Sequence, residues 1–205
     1  MKNTLITVPL KEPTQSKTRL APILSDESRL NLVHHLYQRT LAFLRPIGSS
    51  LGVGLSVVTS SQVAADMARL HGFVVIDEPP QVDLCGAITY ASSWACAAGY
   101  ERLCVVHADL ATPEISDLLA LLQCEAEVAI CASDDWGTNA LLVSPPDAIP
   151  FQYGHQSASQ HLREARSRGL VTELMPHSSL AYDIDTAVCL DRAKRCVPGV
   201  AQICS

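Results

Sequence analysis

The chain has 205 residues, of which 48% are hydrophobic and 18% charged, and its formal net charge is −6. This composition can bury a sizeable core, so it excludes a disordered chain and predicts one folded domain spanning residues 1–205. An acidic chain without a block of lysines and arginines also lacks the footprint of a nucleic-acid-binding protein, although a few cations could still converge on a small anion.

The sequence predicts a cytoplasmic protein. The apolar run after Met1 is short and is broken by Pro9 and Lys11, which is not the pattern of a signal peptide. No apolar run approaches the ~18 residues of a membrane span. The eight cysteines form no CxxC pair and lie mostly in apolar runs, which favours buried free thiols in a reducing compartment over structural zinc. We therefore expect no membrane partner and no nucleic-acid partner.

Short β-rich runs alternate with helical patterns along the chain. Ser25 is a plausible N-cap for the first long helix, and Pro113 suits the start of a later one. The predicted elements in chain order are strand Thr4–Val8, helix Asp26–Leu44, strand Leu55–Thr59, helix Gln62–Leu70, strand Phe73–Ile76, helix Leu84–Ala98, strand Leu103–His107, helix Pro113–Leu122, strands Glu127–Ala132 and Asn139–Val143, helix Ser157–Ser167, strand Val171–Met175 and helix Thr186–Lys194. This alternation predicts an open, mostly parallel α/β sheet, in which ligands bind beyond the carboxyl ends of the strands at a switch in strand order.

A cation-rich segment follows the first predicted strand. Lys11, Lys17 and Arg19 fall within nine positions on a probable loop. Such a loop could wrap a polyphosphate, with arginine supplying forked donors and lysine a point charge. The GKS or GKT of a P-loop is absent. The alternative interpretation is an ordinary solvated surface loop.

Carboxylates follow two later segments. Asp109 comes just after a wholly apolar strand, and Asp183 and Asp185 would face the same way if their segment is extended. Carboxylate oxygens suit Mg²⁺, which can bridge phosphates. The alternatives are that Asp109 is a loop or capping residue and that Asp185 only caps the last helix.

Two small-residue segments could hold an anion. Thr138 adds a hydroxyl donor, Gly154 allows close approach of the backbone, and Ser157 opens a helix whose N-terminal amides attract anions. Ordinary turn chemistry is the alternative.

The chain shows no sign of a nucleophilic hydrolase. It has no GxSxG elbow, and His34, His35, His161 and His177 are interpreted as surface or helix-face residues. Cations after the first strand, a carboxylate after a central strand, a later carboxylate pair and an anion site together favour metal-assisted phosphoryl or nucleotidyl transfer.

These residues resemble a known family. The run VPLKEPTQSKTRLAPILS is similar to the opening of the 2-phospho-L-lactate guanylyltransferases of coenzyme F-420 biosynthesis, whose related enzymes use phosphoenolpyruvate or 3-phospho-D-glycerate. The similarity continues, in the same order, through Asp77-Glu78-Pro79, His107-Ala108-Asp109-Leu110, GTNALLVSPPDAIP, the Gly154 to His161 segment and LAYDIDT.

The resemblance implies an α/β fold, a Rossmann-like nucleotidyltransferase (GT-A-like) three-layer sandwich with a mostly parallel sheet. It implies GTP as the donor, Mg²⁺ as the cofactor, a small phosphorylated organic acid as the acceptor, and a downstream F-420-forming transferase as functional partner. Molybdopterin or a sugar phosphate as acceptor is disfavoured, because those families carry a Gly-rich loop where this chain has Lys-Glu-Pro-Thr. A non-catalytic nucleotide-binding module is disfavoured by the retained carboxylates.

The resemblance also assigns roles to residues. It implies that Thr138, Gly154 and Ser157 hold the acid, that Asp109, Asp183 and Asp185 hold the metal, and that Lys11, Lys17 and Arg19 face the triphosphate. To these we add the expectation that Lys17 and Asp109 are catalytic, that His155 and Cys85 contact the acid, and that Glu78 and Pro79 contact the nucleotide. Cys85, His107 and His155 depart from the usual pattern of the family. Because His155 could hydrogen-bond a free hydroxyl, we expect a preference for 3-phospho-D-glycerate.

Overall fold

A computed structural model describes residues 3–11, 16–79, 81–175 and 178–204. Its centre is a seven-stranded sheet in the order β3-β2-β1-β4-β6-β5-β7. The strands are β1 (Thr4–Pro9), β2 (Gly54–Thr59), β3 (Val74–Asp77), β4 (Arg102–Val106), β5 (Val128–Ala132), β6 (Thr138–Val143) and β7 (Thr172–Leu174). All the strands run in one direction except β6, which is antiparallel to both of its neighbours. The prediction of a mostly parallel sheet is confirmed.

Helices cover both faces of the sheet. They are α1 (Asp26–Leu51), α2 (Gln62–Leu70), α3 (Leu84–Ala97), α4 (Ile115–Gln123), α5 (Ser157–Ser167), α6 (Ala187–Cys196) and α7 (Val200–Ile203), with 3-10 turns at Thr18–Leu20 and Ser179–Ala181. Apolar residues of α1, α2 and α4 pack on one face, and those of α3 and α5 pack on the other. A third cluster joins α6 and α7 to the first half of α1. The three-layer α/β sandwich expected from the sequence is therefore confirmed.

The central strands explain why the sheet needs two helical layers. Every residue of β1 and of β4 is buried. Strands that are covered on both faces read as continuous apolar runs, which is the pattern of Leu103–Val106. Ile6 and Leu5 point into opposite clusters, as successive strand residues must.

The strand order places a switch point between β1 and β4. The chain passes from β1 outward through β2 to β3 and then returns to add β4 on the other side of β1. The carboxyl ends of β1 and β4 therefore leave a crevice between them, where ligands bind in open α/β sheets. Since β6 is antiparallel, its first residues, Thr138 and Asn139, lie at this same edge of the sheet; the backbone N–H of His107 donates to the Asn139 carbonyl over 3.0 Å.

Four helices differ in their bounds from prediction. Helix α3 ends one residue earlier, and α6 is Ala187–Cys196 instead of Thr186–Lys194; the prediction that it is the terminal helix was wrong, because α7 follows it. The differences in α1 and α4 have identifiable causes. The end predicted for α1 at Leu44 was wrong: the helix continues through Pro46 to Leu51, because Ile47 is buried in the core and Gly52, at φ 66°, caps the end. A missing N–H within a helix is tolerated here because packing compensates for it. The helix predicted from Pro113 begins at Ile115, since the Glu114 N–H donates to Ser179 Oγ over 2.8 Å.

Over the described residues, no helix is both long enough and apolar enough to cross a bilayer. The cysteines are all free, as predicted, although Cys96 and Cys196 are exposed and not buried.

Candidate active site

An irregular strand pair brings the carboxylates to the crevice. Leu110, just beyond β4, pairs with Asp183 in an antiparallel bridge. The Ile184 N–H donates to the Asp109 carbonyl over 3.2 Å, and the Ala111 N–H donates to the Tyr182 carbonyl over 2.8 Å. The segment around Asp183 is thus extended, and Asn139 secures it by donating from Nδ2 to Asp183 Oδ1 over 3.3 Å.

Lys17 lies at the centre of these carboxylates. Its ammonium group forms a short ion pair with Asp109 Oδ2 and lies 3.7 Å from Asp185 Oδ1. Lys17 has a left-handed backbone, with φ 56°, which is unusual for a residue with a side chain. The adjacent 3-10 turn is anchored by the buried Leu20. The loop therefore holds a buried lysine over the ends of β4 and the Asp183 segment.

The charges in this cluster are strongly coupled. Burial alone would lower the pKa of Lys17, but the charges of Asp109, Asp185 and Asp183 outweigh it, so the pKa lies above the ordinary lysine value. Burial would raise the pKa of Asp109, but the Lys17 ammonium outweighs it and lowers that pKa. Burial and then repulsion from Asp109 raise the pKa of Asp183. Lys17 and Asp109 therefore form a charged pair, and the Asp183 carboxylate lies close enough to feel both charges.

Arg19 completes the cluster from the solvent side. Its Nη1 lies 3.0 Å from Asp185 Oδ2 and 4.0 Å from Asp135 Oδ2, and 64% of its side chain is exposed. The alternative that Asp185 caps the last helix is wrong, because Thr186 is the N-cap of α6 and its hydroxyl accepts from the Cys189 N–H. The Asp185 carboxylate therefore faces Lys17 and Arg19 in the crevice and does not cap a helix.

The carboxylates have the chemistry of a divalent-cation site. Asp109 Oδ1 is buried and has no hydrogen-bond partner within the part of the chain that the structure describes, so it is available to a ligand. Within the described ranges, no three His, Cys, Asp or Glu side chains are grouped so that they could hold an ion by themselves. Mg²⁺ is usually held by one or two carboxylates, with phosphates and water completing the shell. The donors present fit an ion that shares its shell with a substrate.

Lys11 has a different partner. Its Nζ donates to both carboxylate oxygens of Glu78, over 2.9 and 2.8 Å, and to the Val82 carbonyl over 2.5 Å. The Glu78 side chain is fully buried and also accepts from the Ser60 N–H over 3.2 Å. An ammonium group has three donors, so Lys11 has none left. Pro79 follows Glu78 and is half-buried.

Two cavities meet at the Lys17 cluster. The first, here called the β1 cavity, has a volume of about 220 Å³ and is lined by Pro9, Leu10, Lys11, Ser16, Lys17, Val33, Leu84, His107, Ala108, Asp109 and Asp185. The second, the β6 cavity, has a volume of about 290 Å³ and is lined by Arg19, Leu84, His107, Asp109, Ser133, Asp135, Gly137, Thr138, Asn139, Tyr153, Gly154, His155, Ser157, Asp183 and Asp185. Both are walled by Leu84, His107, Asp109 and Asp185, so a ligand in one would abut a ligand in the other.

The β6 cavity has a hydroxyl pair in its wall. Ser157 Oγ lies 3.0 Å from Thr138 Oγ1, which lies 3.1 Å from His161 Nδ1. His161 lies on a face of α5, as one of its two interpretations had it, but it is fully buried, so the surface interpretation was wrong. His177, interpreted in the same way, lies outside the described residues. The i, i+4 spacing of Ser157 and His161 was the one local signal that they share a helix face.

Two aromatic residues line the β6 cavity: His107, which the sequence marked only as a departure from the family pattern, and Tyr153, to which no role was assigned from the sequence. His107 and Tyr153 stack with ring centroids 5.3 Å apart, and both His107 Nε2 and the Tyr153 hydroxyl are buried without a partner. Burial lowers the pKa of His107 and raises the pKa of Tyr153, so the imidazole is neutral and the phenol remains a donor.

The remaining predicted acid-binding residues are near this wall. His155 is exposed and lines the β6 cavity. The Cys85 side chain contacts the backbone of Tyr153: its Sγ accepts a hydrogen bond from the Tyr153 N–H over 3.1 Å. Cys85 therefore supports a residue of the cavity wall.

Solved structures share this fold. A Desulfovibrio desulfuricans protein assigned to the nucleotide-diphospho-sugar transferases matches with a TM-score of 0.74 at 18% identity, over 99% of this chain and 94% of that one. A nucleotidyl transferase from Methanothermobacter thermautotrophicus matches with a TM-score of 0.62 at 14% identity, over 95% and 97%. Glucosyl-3-phosphoglycerate synthase from Mycobacterium tuberculosis, in complex with Mn²⁺, uridine-diphosphate and phosphoglyceric acid, matches with a TM-score of 0.55 at 12% identity, over 84% and 68%.

The family match and the curated relatives, together with this fold, show that the chain is a nucleotidyltransferase. Within that class the chain belongs to the family described as "Guanylyl transferase CofC like", whose sequence profile matches residues 4–192. The 3-phospho-D-glycerate guanylyltransferase of Colwellia psychrerythraea is 36% identical over 89% of this chain and 87% of its own length. The phosphoenolpyruvate guanylyltransferase of Rubrobacter xylanophilus is 33% identical over 87% of each chain. The 2-phospho-L-lactate guanylyltransferase of Methanothermobacter thermautotrophicus is 28% identical over 88% and 79%.

Proposed function

We propose that this protein transfers the guanylyl group of GTP to a phosphorylated three-carbon acid and releases pyrophosphate. The observation that carries the proposal is the meeting of the β1 and β6 cavities at Lys17, Asp109 and Asp185. A transfer between two anions needs two adjacent sites and a cluster that neutralises charge where they touch. The names of the relatives support the same reaction.

We assign GTP to the β1 cavity and the acid to the β6 cavity. The β1 cavity has apolar walls at Leu10, Val33 and Leu84 and is bordered by Lys17, which suits a nucleoside followed by phosphates. The β6 cavity carries the hydroxyl pair at the N-terminus of α5, where amide groups and the helix dipole favour an anion.

The reaction forms one P–O bond and breaks another. A phosphate oxygen of the acid attacks the α-phosphorus of GTP, and the electrons of the bond to the bridging oxygen leave with pyrophosphate. A phosphate is already ionised near neutral pH, so the protein needs no strong base. Lys17 and Arg19 bring the two anions together and offset the charge that develops on the leaving group.

Asp109, Asp183 and Asp185 would hold Mg²⁺. The partnerless Oδ1 of Asp109 and the all-oxygen character of the set support this assignment. When bound, the ion would offset the negative charge of the phosphates as a Lewis acid. The presence of Mn²⁺ in the mycobacterial structure of the same fold supports a divalent ion.

We further infer that 3-phospho-D-glycerate is the preferred acid, within the coenzyme F-420 pathway. His155 lines the β6 cavity and has an imidazole that could bond the free hydroxyl of this acid, and the Colwellia relative uses it. The product is a reactive mixed diphosphate, so a downstream transferase that forms F-420 is the expected functional partner. The free cysteines support a reducing cytoplasm as the location.

The test of the reaction is pyrophosphate release from GTP and Mg²⁺ with each of the three acids at equal concentration. We expect release with at least one acid and its loss on addition of EDTA. Release that survives full chelation would show that the metal assignment is wrong, and no release with any acid would contradict the proposed function.

The test of acid preference is the same competition repeated with His155→Ala. We expect the preference for 3-phospho-D-glycerate to fall, because a polar site left unpaired by the smaller acids costs ~1–3 kcal/mol. The assignment fails if this acid is the poorest substrate or if the variant has the wild-type preference.

A further inference from the structure

His161 lies behind the hydroxyl pair of the β6 cavity. It is fully buried on α5, and both of its ring nitrogens have partners. Nδ1 lies 3.1 Å from Thr138 Oγ1, and Nε2 lies 2.9 Å from the backbone nitrogen of Gln152. The ring makes no contact with the carboxylates of the Lys17 cluster among the hydrogen bonds of the described residues.

The Gln152 contact fixes the position of the ring proton. A backbone N–H can only donate, so Nε2 must accept and cannot carry a proton. A neutral imidazole has its one proton on the other nitrogen, so Nδ1–H donates to Thr138 Oγ1. Burial, and to a lesser extent His107, lowers the pKa of His161 to about 4, which keeps the ring neutral at physiological pH.

This proton decides what the hydroxyl pair can offer a ligand. Ser157 donates to Thr138, so Thr138 Oγ1 accepts from both His161 and Ser157 and its own proton is left for the cavity. If the two hydroxyls exchange roles, Ser157 has the free proton instead. With the other imidazole tautomer, Thr138 would donate to His161, and the pair would have only lone pairs to present. Lone pairs would repel an anion.

We propose that His161 is a positioning residue that makes the Thr138–Ser157 pair a hydrogen-bond donor to the anionic acid. The proposal rests on the assignment of the acid to the β6 cavity. The role of His161 is to set the direction of a chain of hydrogen bonds that begins at the Gln152 backbone N–H and ends at the substrate. A histidine held by a backbone N–H is suited to this task, because the backbone cannot reverse its own direction.

Two substitutions separate this role from simple packing. His161→Asn can place its amide nitrogen near the position of Nδ1 and still donate to Thr138, but it leaves the Gln152 N–H without an acceptor. His161→Gln can place its amide oxygen near the position of Nε2 and still accept from Gln152, but it does not donate to Thr138. A purely structural tether of the Gln152 segment would therefore favour His161→Gln.

We expect His161→Gln to raise the KM for the acid about 10- to 100-fold and to change the KM for GTP less than about twofold. His161→Asn is expected to keep the KM for the acid within about threefold of the wild type, even if its melting temperature is the lower of the two. Equal effects of the two variants, or a wild-type KM for the acid in His161→Gln, would overturn the proposal.

Thr138→Val distinguishes failure of this inference from failure of the proposed function. If Thr138→Val raises the KM for the acid while His161→Gln does not, only the role of His161 is wrong. If Thr138→Val also leaves that KM unchanged, the acid does not bind at the hydroxyl pair, and the assignment of the acid to the β6 cavity fails together with the role of His161. Absence of pyrophosphate release from the wild type is the separate result that would refute the transfer reaction itself.

A spectroscopic measurement on the unmodified protein reports the position of the ring proton independently of the kinetics. In ¹⁵N-histidine-labelled protein at neutral pH, long-range proton–nitrogen correlation reports which ring nitrogen of His161 is protonated, and comparison with His161→Asn assigns the signal. The proposal requires a proton on Nδ1 alone. A proton on Nε2, or on both nitrogens, would overturn it.

Discussion

The β1 and β6 cavities share a wall but use their polar groups in different ways. On the β1 side, Lys11 and Glu78 bond to each other, and the three donors of Lys11 are all taken by protein acceptors. On the β6 side, the Tyr153 hydroxyl is buried without a partner among the described residues, as is His107 Nε2 in the shared wall, and the hydroxyl pair retains a free proton. The Lys11–Glu78 side of the β1 cavity is therefore satisfied by the protein itself, whereas the β6 side and the shared wall are incomplete until a ligand arrives.

The difference separates structural charges from functional ones. A buried polar group without a partner costs about 1–3 kcal/mol, so several in one wall indicate a site completed by a ligand. A lysine whose three N–H donors all bond to protein acceptors has no donor free for a triphosphate. Of the cations in the first loop, Lys17 and Arg19 are therefore better placed than Lys11 to act on GTP.

The largest effect is expected where the two cavities meet. Asp109→Asn and Asp185→Asn should each lower the rate of pyrophosphate release at least ~100-fold. Asp185→Asn should cost little stability, whereas Asp109→Asn should also lower stability, because it removes the close ion-pair partner of the buried Lys17. Each removes a carboxylate proposed to hold the metal, and ~100-fold corresponds to about 2.7 kcal/mol of transition-state stabilisation. Initial rates at saturating Mg²⁺ and thermal melts would measure the two quantities.

Asp66→Asn is the matched control for these variants. Asp66 is an exposed carboxylate on α2 that pairs with Arg69 over 2.8 Å. Its variant should retain the wild-type rate. Near-wild-type rates in both Asp109→Asn and Asp185→Asn would refute the carboxylate site.

A smaller effect, on stability more than on rate, is expected for Lys11→Met. Among the described residues, this change leaves the fully buried carboxylate of Glu78 with the Ser60 N–H as its one remaining partner. Removing one member of a buried pair costs 3–5 kcal/mol, and because 32% of the Lys11 side chain is exposed we expect about 2–3 kcal/mol. Urea unfolding would measure this loss, while the KM for GTP should change less than about threefold.

The double variant Lys11→Met with Glu78→Gln tests the cause. Neutralising Glu78 removes the unpaired charge, so the double variant should be more stable than Lys11→Met alone. Additive losses in the free energy of unfolding would contradict the pairing of Lys11 with Glu78. A large rise in the KM for GTP in Lys11→Met would show that this lysine contacts the nucleotide.

The smallest effect is expected for Arg19→Ala. Because its side chain is 64% exposed, its loss should change the free energy of unfolding by less than ~0.5 kcal/mol. The KM for GTP should rise about fivefold at low salt and less at high salt, since an exposed cation acts on the triphosphate through a screened field. Arg69→Ala, which also removes an exposed arginine paired with an aspartate, is the control. An equal response of the two variants would exclude Arg19 from the site.

The sequence predicted the elements whose signals are local. The apolar runs of β1 and β4, the Ser25 cap of α1 and the bounds of α2 and α5 were all readable, because periodicity and capping act over a few residues. Pro46 misled the prediction of α1, because the packing of Ile47 outweighed a local helix-breaking signal.

The sequence by itself determined the fold class, the family and most residues of the crevice, because strand–helix alternation and short motifs are written contiguously along the chain. Only the tertiary structure decided how those residues pair. Lys11 bonds a carboxylate 67 positions away, Lys17 bonds one 92 positions away, and His161 contacts a hydroxyl 23 positions away. No local pattern predicts these partners, because they depend on the strand order, on the antiparallel direction of β6 and on the packing of the helix that buries His161. The residue type shows which hydrogen bonds and ion pairs each side chain can form. Only the tertiary structure shows whether those bonds are made within the protein or remain available to a ligand.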